Sequence, residues 1–139
     1  MSNLKSFALK PIGFVRSGLK RRRDAPRQGR EGAPSARLEI APAFTRGLHR
    51  IAAGQDLILI TWLHQADRKT LRVHPGSEKN LPLTGVFATR SPDRPNPLGL
   101  HQVTVLEIAG NTLKVEPLEA IDGTPIVDIK PILCPQTNS

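Results

Sequence analysis

Residues 90–99 read Arg-Ser-Pro-Asp-Arg-Pro-Asn-Pro-Leu-Gly, with three prolines in six residues from Pro92 to Pro97. Each proline removes a backbone donor and fixes φ, so this stretch is neither helix nor central strand. It must be a stiff connection, and the regular elements around it must be short.

The flanking pattern is β-rich. Residues 56–63 (DLILITWL) are the most apolar run, rich in β-branched residues, and are predicted as a central strand. Residues 102–108 and 113–118 flank Gly110-Asn111, a hairpin signal. Further strands are predicted at residues 7–15 (interrupted by Pro11), 38–41, 68–73, 84–89 and 126–129. Phe44, Leu48 and Ile51, spaced i, i+4, i+7, suit one short amphipathic helix ended by Gly54. Residues 74–82 are turn-rich. Many short strands with frequent turn signals indicate an all-β barrel or sandwich, and 139 residues are expected to form a single domain, residues 1–139.

The chain has no run of about 18 apolar residues that would span a membrane. Its first ten residues lack the apolar core of a signal peptide, and it has one cysteine, Cys134. A cytoplasmic protein is the expectation. The formal net charge of +8 is concentrated in residues 1–50, which hold twelve Lys/Arg against three Asp/Glu. Its centre is Lys20-Arg21-Arg22-Arg23, with Arg27 and Arg30. Such a run attracts polyanions, and it is equally a solvated basic loop. Tyrosine is absent, which argues against reading single-stranded bases mainly by stacking.

No G-x-G-x-x-G, P-loop or G-x-S-x-G signature is present. His49, His64, His74 and His101 have no close pairing with Cys or carboxylates, so no metal site is expected. A site must come from the unusual segments. Residues 90–99 offer pre-ordered backbone, two arginines able to grip a carboxylate or phosphate, and Asn96 between prolines. Asp122-Gly123-Thr124-Pro125 is a tight turn, structural or ligand-approaching. Pro26-Arg27-Gln28 is a motif or a piece of basic loop. His64-Gln65 ends the apolar strand and either caps the barrel or faces a site.

Together these segments resemble one family. The stretches are Pro11-Ile12-Gly13-Phe14-Val15-Arg16-Ser17, Pro26-Arg27-Gln28, His64-Gln65, the sixteen-residue run from Gly85 through Arg90-Ser91-Pro92-Asp93-Arg94-Pro95-Asn96-Pro97 to Leu100, and the ten-residue run from Asp122 to Pro131. The chain resembles the TrmO family (TsaA-like, YaeB-like) of S-adenosylmethionine-dependent tRNA methyltransferases, in a short form without the C-terminal extension of longer members. His101 stands where a small hydroxyl residue is common in that family, and Ile132 where an aromatic is common.

The resemblance implies a single-sheet β-barrel with short helical segments, a homodimer with cofactor near the dimer interface, and N6-methylation of threonylcarbamoyladenosine at position 37 of tRNA. It implies cofactor contacts at Pro26, Arg27, Gln28, His64, Gln65, Arg90, Leu100, Ile121, Asp122, Gly123 and Thr124. Within that frame Arg90 or Arg27 is expected to grip the cofactor carboxylate. Asp122, Asp128 and His64 are the candidate catalytic bases. Lys20, Arg21, Arg22, Arg23 and Arg94 are expected to hold RNA. The alternatives are an S-adenosylmethionine-binding barrel acting on another RNA or a small molecule, a non-catalytic RNA-binding barrel, and a barrel that binds the cofactor without turnover.

Overall fold

The computed structural model describes residues 4–26 and 32–133. Its eight strands are β1 (Gly13–Arg16), β2 (Ala36–Ile40), β3 (Asp56–Trp62), β4 (Arg72–Val73), β5 (Thr84–Gly85), β6 (Leu98–Ala109), β7 (Thr112–Glu116) and β8 (Pro125–Pro131). Six of them close a barrel in the order β1-β2-β7-β6-β3-β8, every neighbouring pair antiparallel. The remaining two, β4 and β5, form a separate small ribbon.

Alternation builds the core. Val15, Leu38, Leu57, Leu59, Val103, Val105, Leu113, Val115 and Ile126 are all buried inside the barrel. Their strand neighbours Arg16, Arg37, Gln102 and Glu116 are exposed. Period-two burial with one solvated face is what a closed antiparallel sheet demands. Truncating a side chain such as Leu59 to Ala removes contacts on all sides and is expected to cost about 2–5 kcal/mol.

The Gly110-Asn111 hairpin forms as the sequence indicates, with Ala109 facing Thr112 across it and Gly110 at φ +61°. Other boundaries differ. Strand β1 spans only Gly13–Arg16, and residues 4–11 carry no regular structure. The predicted strand over residues 68–73 shrinks to Arg72–Val73, because the Asp67 carboxylate accepts the Lys69 N–H at 2.8 Å and holds the start of that stretch in a turn; Arg68 lies over the Trp62 ring, 4.9 Å from its centroid. The expected amphipathic helix is a 3₁₀ segment, Pro42–Leu48. Proline at its start and Gly47 near its end leave too short a stretch for an α-helix to nucleate. Leu48, Phe44 and Ile51 still plug one mouth of the barrel, so the apolar faces were read correctly and the pitch was not.

Strand directions sort the connections between the two mouths. The end plugged by Phe44 also carries the Gly110 hairpin and the start of β3. The opposite end, the upper end hereafter, collects the C-terminal ends of β1, β3 and β7 and the N-terminal ends of β2, β6 and β8. Among the described residues no helix is long and apolar enough to cross a membrane.

A Cβ on Gly13 would lie 2.2 Å from the Glu39 carbonyl oxygen, where β1 crosses β2, whereas one on Gly85 meets nothing within 4 Å. Gly13→Ala is therefore expected to destabilise the protein by about 2–3 kcal/mol, since backbone must shift. Gly85→Ala is expected to be neutral or stabilising by up to about 1 kcal/mol. Urea denaturation of both variants checks this pair.

Candidate functional site

The turn Ile121–Thr124 leads into β8 at the upper end and is bound tightly to the strand beside it. The Gly123 N–H donates to the Val15 carbonyl at 2.7 Å, and the Val15 N–H donates to the Thr124 carbonyl at 2.9 Å. The Asp122 N–H donates to the Leu19 carbonyl at 2.7 Å, and the Thr124 N–H and Oγ1 both donate to the Ile121 carbonyl. Gly123 sits at φ +82°, a conformation glycine adopts without a Cβ penalty. All three N–H groups of Asp122, Gly123 and Thr124 are spent internally. The turn thus presents acceptors to a ligand, not the ring of donors that a phosphate requires. Acceptors suit the amino group of a purine and the hydroxyls of a ribose.

Asp122 accepts from the Ser17 N–H at 2.9 Å and from Lys20 Nζ at 3.2 Å. The Ser17 hydrogen bond first, and Lys20 second, hold its carboxyl below the ordinary carboxylate range. A carboxylate stabilised in this way is a weak proton acceptor. Its geometry suits accepting hydrogen bonds while remaining ionised.

The loop from Ser17 to Pro26 crosses from this turn to the proline-rich segment. Arg22 donates from Nη1 to the Gln65 carbonyl at 3.2 Å, and its Nη2 lies 3.2 Å from the Asp93 carboxylate. Asp93 also accepts the Asp67 N–H at 2.8 Å. Arg68 donates to the Pro95 carbonyl at 2.8 Å and to Asn96 Oδ1 at 3.4 Å. His64 and Gln65 form the turn just after β3, and Leu98–Leu100 open β6 beside it, with Trp62 facing Leu98 in register. His64, Gln65, Arg90 and Leu100 are all exposed. The upper end therefore gathers the segments bearing Pro26, His64, Gln65, Leu100 and Ile121–Thr124, and Arg22 ties to them the 90–99 segment that bears Arg90. Arg27 and Gln28 lie outside the described residues.

Two expectations need correction on geometry. Arg94 does not face a phosphate backbone: its Nε donates to the Ser91 carbonyl at 2.7 Å, and its Nη2 to the Val86 and Thr89 carbonyls at 2.7 and 2.6 Å. Half-buried, with three carbonyls met by its Nε and Nη2, it staples the proline-rich loop from within. Asp128 shares a rung of the sheet with Leu100, through Ile60, but it lines the groove beside Phe44 and not the Asp122 turn. It lies along β8 opposite Ile60, ion-paired to Lys130 at 3.2 Å, and lines a groove of about 340 Å³ with Ile12, Phe44 and Leu48. A second concavity of about 330 Å³ surrounds Gly13, Ile40 and Asn111. Neither hollow includes a candidate cofactor residue, so shape and chemistry point to different places. The chemistry decides here, because both grooves are shallow and carry few convergent polar groups.

Sequence reasoning missed a buried chain of polar groups below the upper end. Thr61 Oγ1 and His101 Nε2 are 2.7 Å apart, and His101 Nδ1 meets Glu119. A Cβ on Gly99 would lie 2.5 Å from Thr61 Oγ1 and 2.7 Å from His101 Nε2, so the glycine makes room for the imidazole. The pairing of His101 with Glu119 clasps β6 to the segment leading into the Asp122 turn.

A family profile described as the tRNA-methyltransferase O N-terminal domain matches residues 14–136. The chain belongs to this family. The chain is also similar to an S-adenosyl-L-methionine-binding protein of Archaeoglobus fulgidus, 47% identical over 122 residues, covering 88% of this chain and 86% of that one. A probable S-adenosyl-L-methionine-binding protein of Methanothermobacter thermautotrophicus is 42% identical over 123 residues, covering 88% of each. Among solved structures, TrmO from Pseudomonas aeruginosa superposes with a TM-score of 0.74 at 30% identity, over 93% of this chain. The chain spans 57% of the length of that TrmO.

The depressed Asp122 pKa has a definite sign. Its stabilisation is present above the unfolded carboxylate value near 3.9 and is lost as pH falls through the lower folded value. Asp122→Asn is expected to be less stable than wild type near pH 7, with the gap closing below about pH 4. Urea midpoints across that range test it; a gap equal at both ends would remove the Ser17–Asp122–Lys20 cluster as its source.

Proposed function

We propose that this chain is an S-adenosylmethionine-dependent methyltransferase that binds its cofactor at the upper end of the barrel and methylates N6 of threonylcarbamoyladenosine at position 37 of tRNA. One observation carries the cofactor reading. In a member of the tRNA-methyltransferase O family, the segments of Pro26, His64-Gln65, Arg90, Leu100 and Ile121–Thr124 converge, and the turn among them offers acceptors in place of phosphate-binding donors.

The residues present fit the group. A guanidinium is the natural partner of an amino-acid carboxylate, and Arg90 is exposed with no ion pair among the described residues. The turn's free acceptors and the ionised Asp122 suit a nucleoside. When bound, the sulfonium supplies an electrophilic methyl carbon. The chain's part is to align the acceptor and exclude water, an effect worth several kcal/mol through orientation alone. His64, exposed at the rim, is the remaining candidate for taking a proton from the acceptor nitrogen; Asp122 acts better as a hydrogen-bond acceptor, and Asp128 lines the Phe44 groove.

Two partners complete the reading. A second copy of the chain would cover the outer face of β6, where Leu98 and Leu100 are 44% and 51% exposed beside the open cradle. Of the basic run, Lys20, Arg21 and Arg23 would meet RNA phosphates. A second reading, the same cofactor with a different acceptor, is favoured by how that run is used: Lys20, Arg21 and Arg22 are each paired to a carboxylate, Asp122, Asp24 and Asp93.

Calorimetric titration with S-adenosylmethionine should give a saturable isotherm, and Arg90→Ala should weaken it about tenfold, equivalent to ~1.4 kcal/mol. Flat titrations at millimolar cofactor reject the enzyme; unchanged affinity in the variant removes Arg90. Nucleoside analysis of tRNA incubated with protein and cofactor separates the two acceptors: a methylated threonylcarbamoyladenosine supports the first, and unmodified tRNA the second.

A further inference from the structure

We infer that Arg22 is a positioning residue of the cofactor cradle and not an RNA contact, an inference that rests on the proposed cofactor site. Its sequence neighbours Lys20, Arg21 and Arg23 invite the opposite view. The geometry is specific. One guanidinium reaches the Gln65 carbonyl at 3.2 Å and the Asp93 carboxylate at 3.2 Å, while Asp93 holds the Asp67 N–H at 2.8 Å. Three chain segments meet at that point, each bearing a candidate cofactor residue: the loop leading to Pro26, the end of β3 with His64 and Gln65, and the proline-rich loop after Arg90.

The choice of arginine has a physical reason. A planar fork satisfies two acceptors on different segments together, whereas a lysine ammonium is a single point charge on a flexible stem. The pair is exposed, with side-chain exposures of 45% for Arg22 and 28% for Asp93, so it adds little to global stability. Its effect falls on local order. Three loops held in one arrangement before the ligand arrives bind with less entropy lost on ordering. A phosphate competing for Arg22 would have to take it from Asp93 and loosen the cradle.

The test compares wild type with Arg22→Met, Arg22→Lys, Asp93→Asn and the Arg22→Met/Asp93→Asn double variant. Three quantities are read for each: melting temperature, calorimetric affinity for S-adenosylmethionine, and the salt dependence of binding to bulk tRNA. The expected result is an unchanged melting temperature with cofactor affinity lowered about five- to tenfold in Arg22→Met and in Asp93→Asn, the double variant being no worse than either single. Arg22→Lys should recover only part of the loss, and the tRNA salt slope should not move. A ligand-free readout accompanies it. Trp62, the chain's one tryptophan in a protein without tyrosine, ends β3 and is stacked under Arg68 of the adjoining loop, so its acrylamide quenching should rise in Arg22→Met. Cofactor affinity within twofold of wild type, together with weaker tRNA binding and a salt slope reduced by about one, would overturn the inference and return Arg22 to the RNA surface. Wild-type protein that binds tRNA but no cofactor overturns the proposed function, and this inference with it.

Discussion

Closure of the barrel between β1 and β8 is the contact on which the rest depends. It is the shortest seam in the sheet, with Gly13 facing Ile126 and Phe14 facing Pro125. Its hydrogen bonds continue past the paired residues, through Val15 to Thr124 and Gly123 to Val15. The Asp122 turn is thus the upper edge of the seam and not a loop hung above it. Close approach at Gly13, where no Cβ fits, lets β1 run near enough to β2 for the same strand to serve both neighbours.

From that seam the upper end is assembled by side chains that cross between loops. Asp122 gathers Ser17 and Lys20, Arg22 gathers Gln65 and Asp93, Arg68 gathers Pro95 and Asn96, and Arg94 gathers three carbonyls of its own loop. Few of these residues contribute to the apolar core. Irregular segments have no strand ladder to satisfy them, so their carbonyls are met by guanidinium groups. An arginine-rich, proline-rich rim is the chemical consequence of placing four loops at one mouth of a small barrel.

Much of this was legible in the chain. The apolar, β-branched run over residues 56–63 and the Gly110-Asn111 turn located β3 and the β6–β7 hairpin, because β-branched composition and turn chemistry are local properties. Barrel and sandwich could not be separated by those signals, since both present the same alternation; family resemblance and then the register decided it. The proline-rich run was recognised as a stiff, arginine-bearing connection. The direction of its arginines was not: Arg94 turns inward onto carbonyls, and nothing in a linear sequence distinguishes that from a phosphate-facing side chain. Arg22 was hidden in a run of like charges for the same reason. The Thr61–His101–Glu119 chain depends on residues 18 to 58 positions apart, and only the closed sheet brings them together. Asp128 is close to Asp122 in sequence, but as the fourth residue of β8 it lines the Phe44 groove and not the turn.

The most direct measurement is a crystal structure of the protein soaked with S-adenosylmethionine. This account expects ordered ligand density at the upper end, bounded by Gln65, Leu100 and the Ile121–Thr124 turn, with the nucleoside against the turn's acceptors. Density confined to the groove between Phe44 and Asp128, or none at saturating ligand, would contradict it.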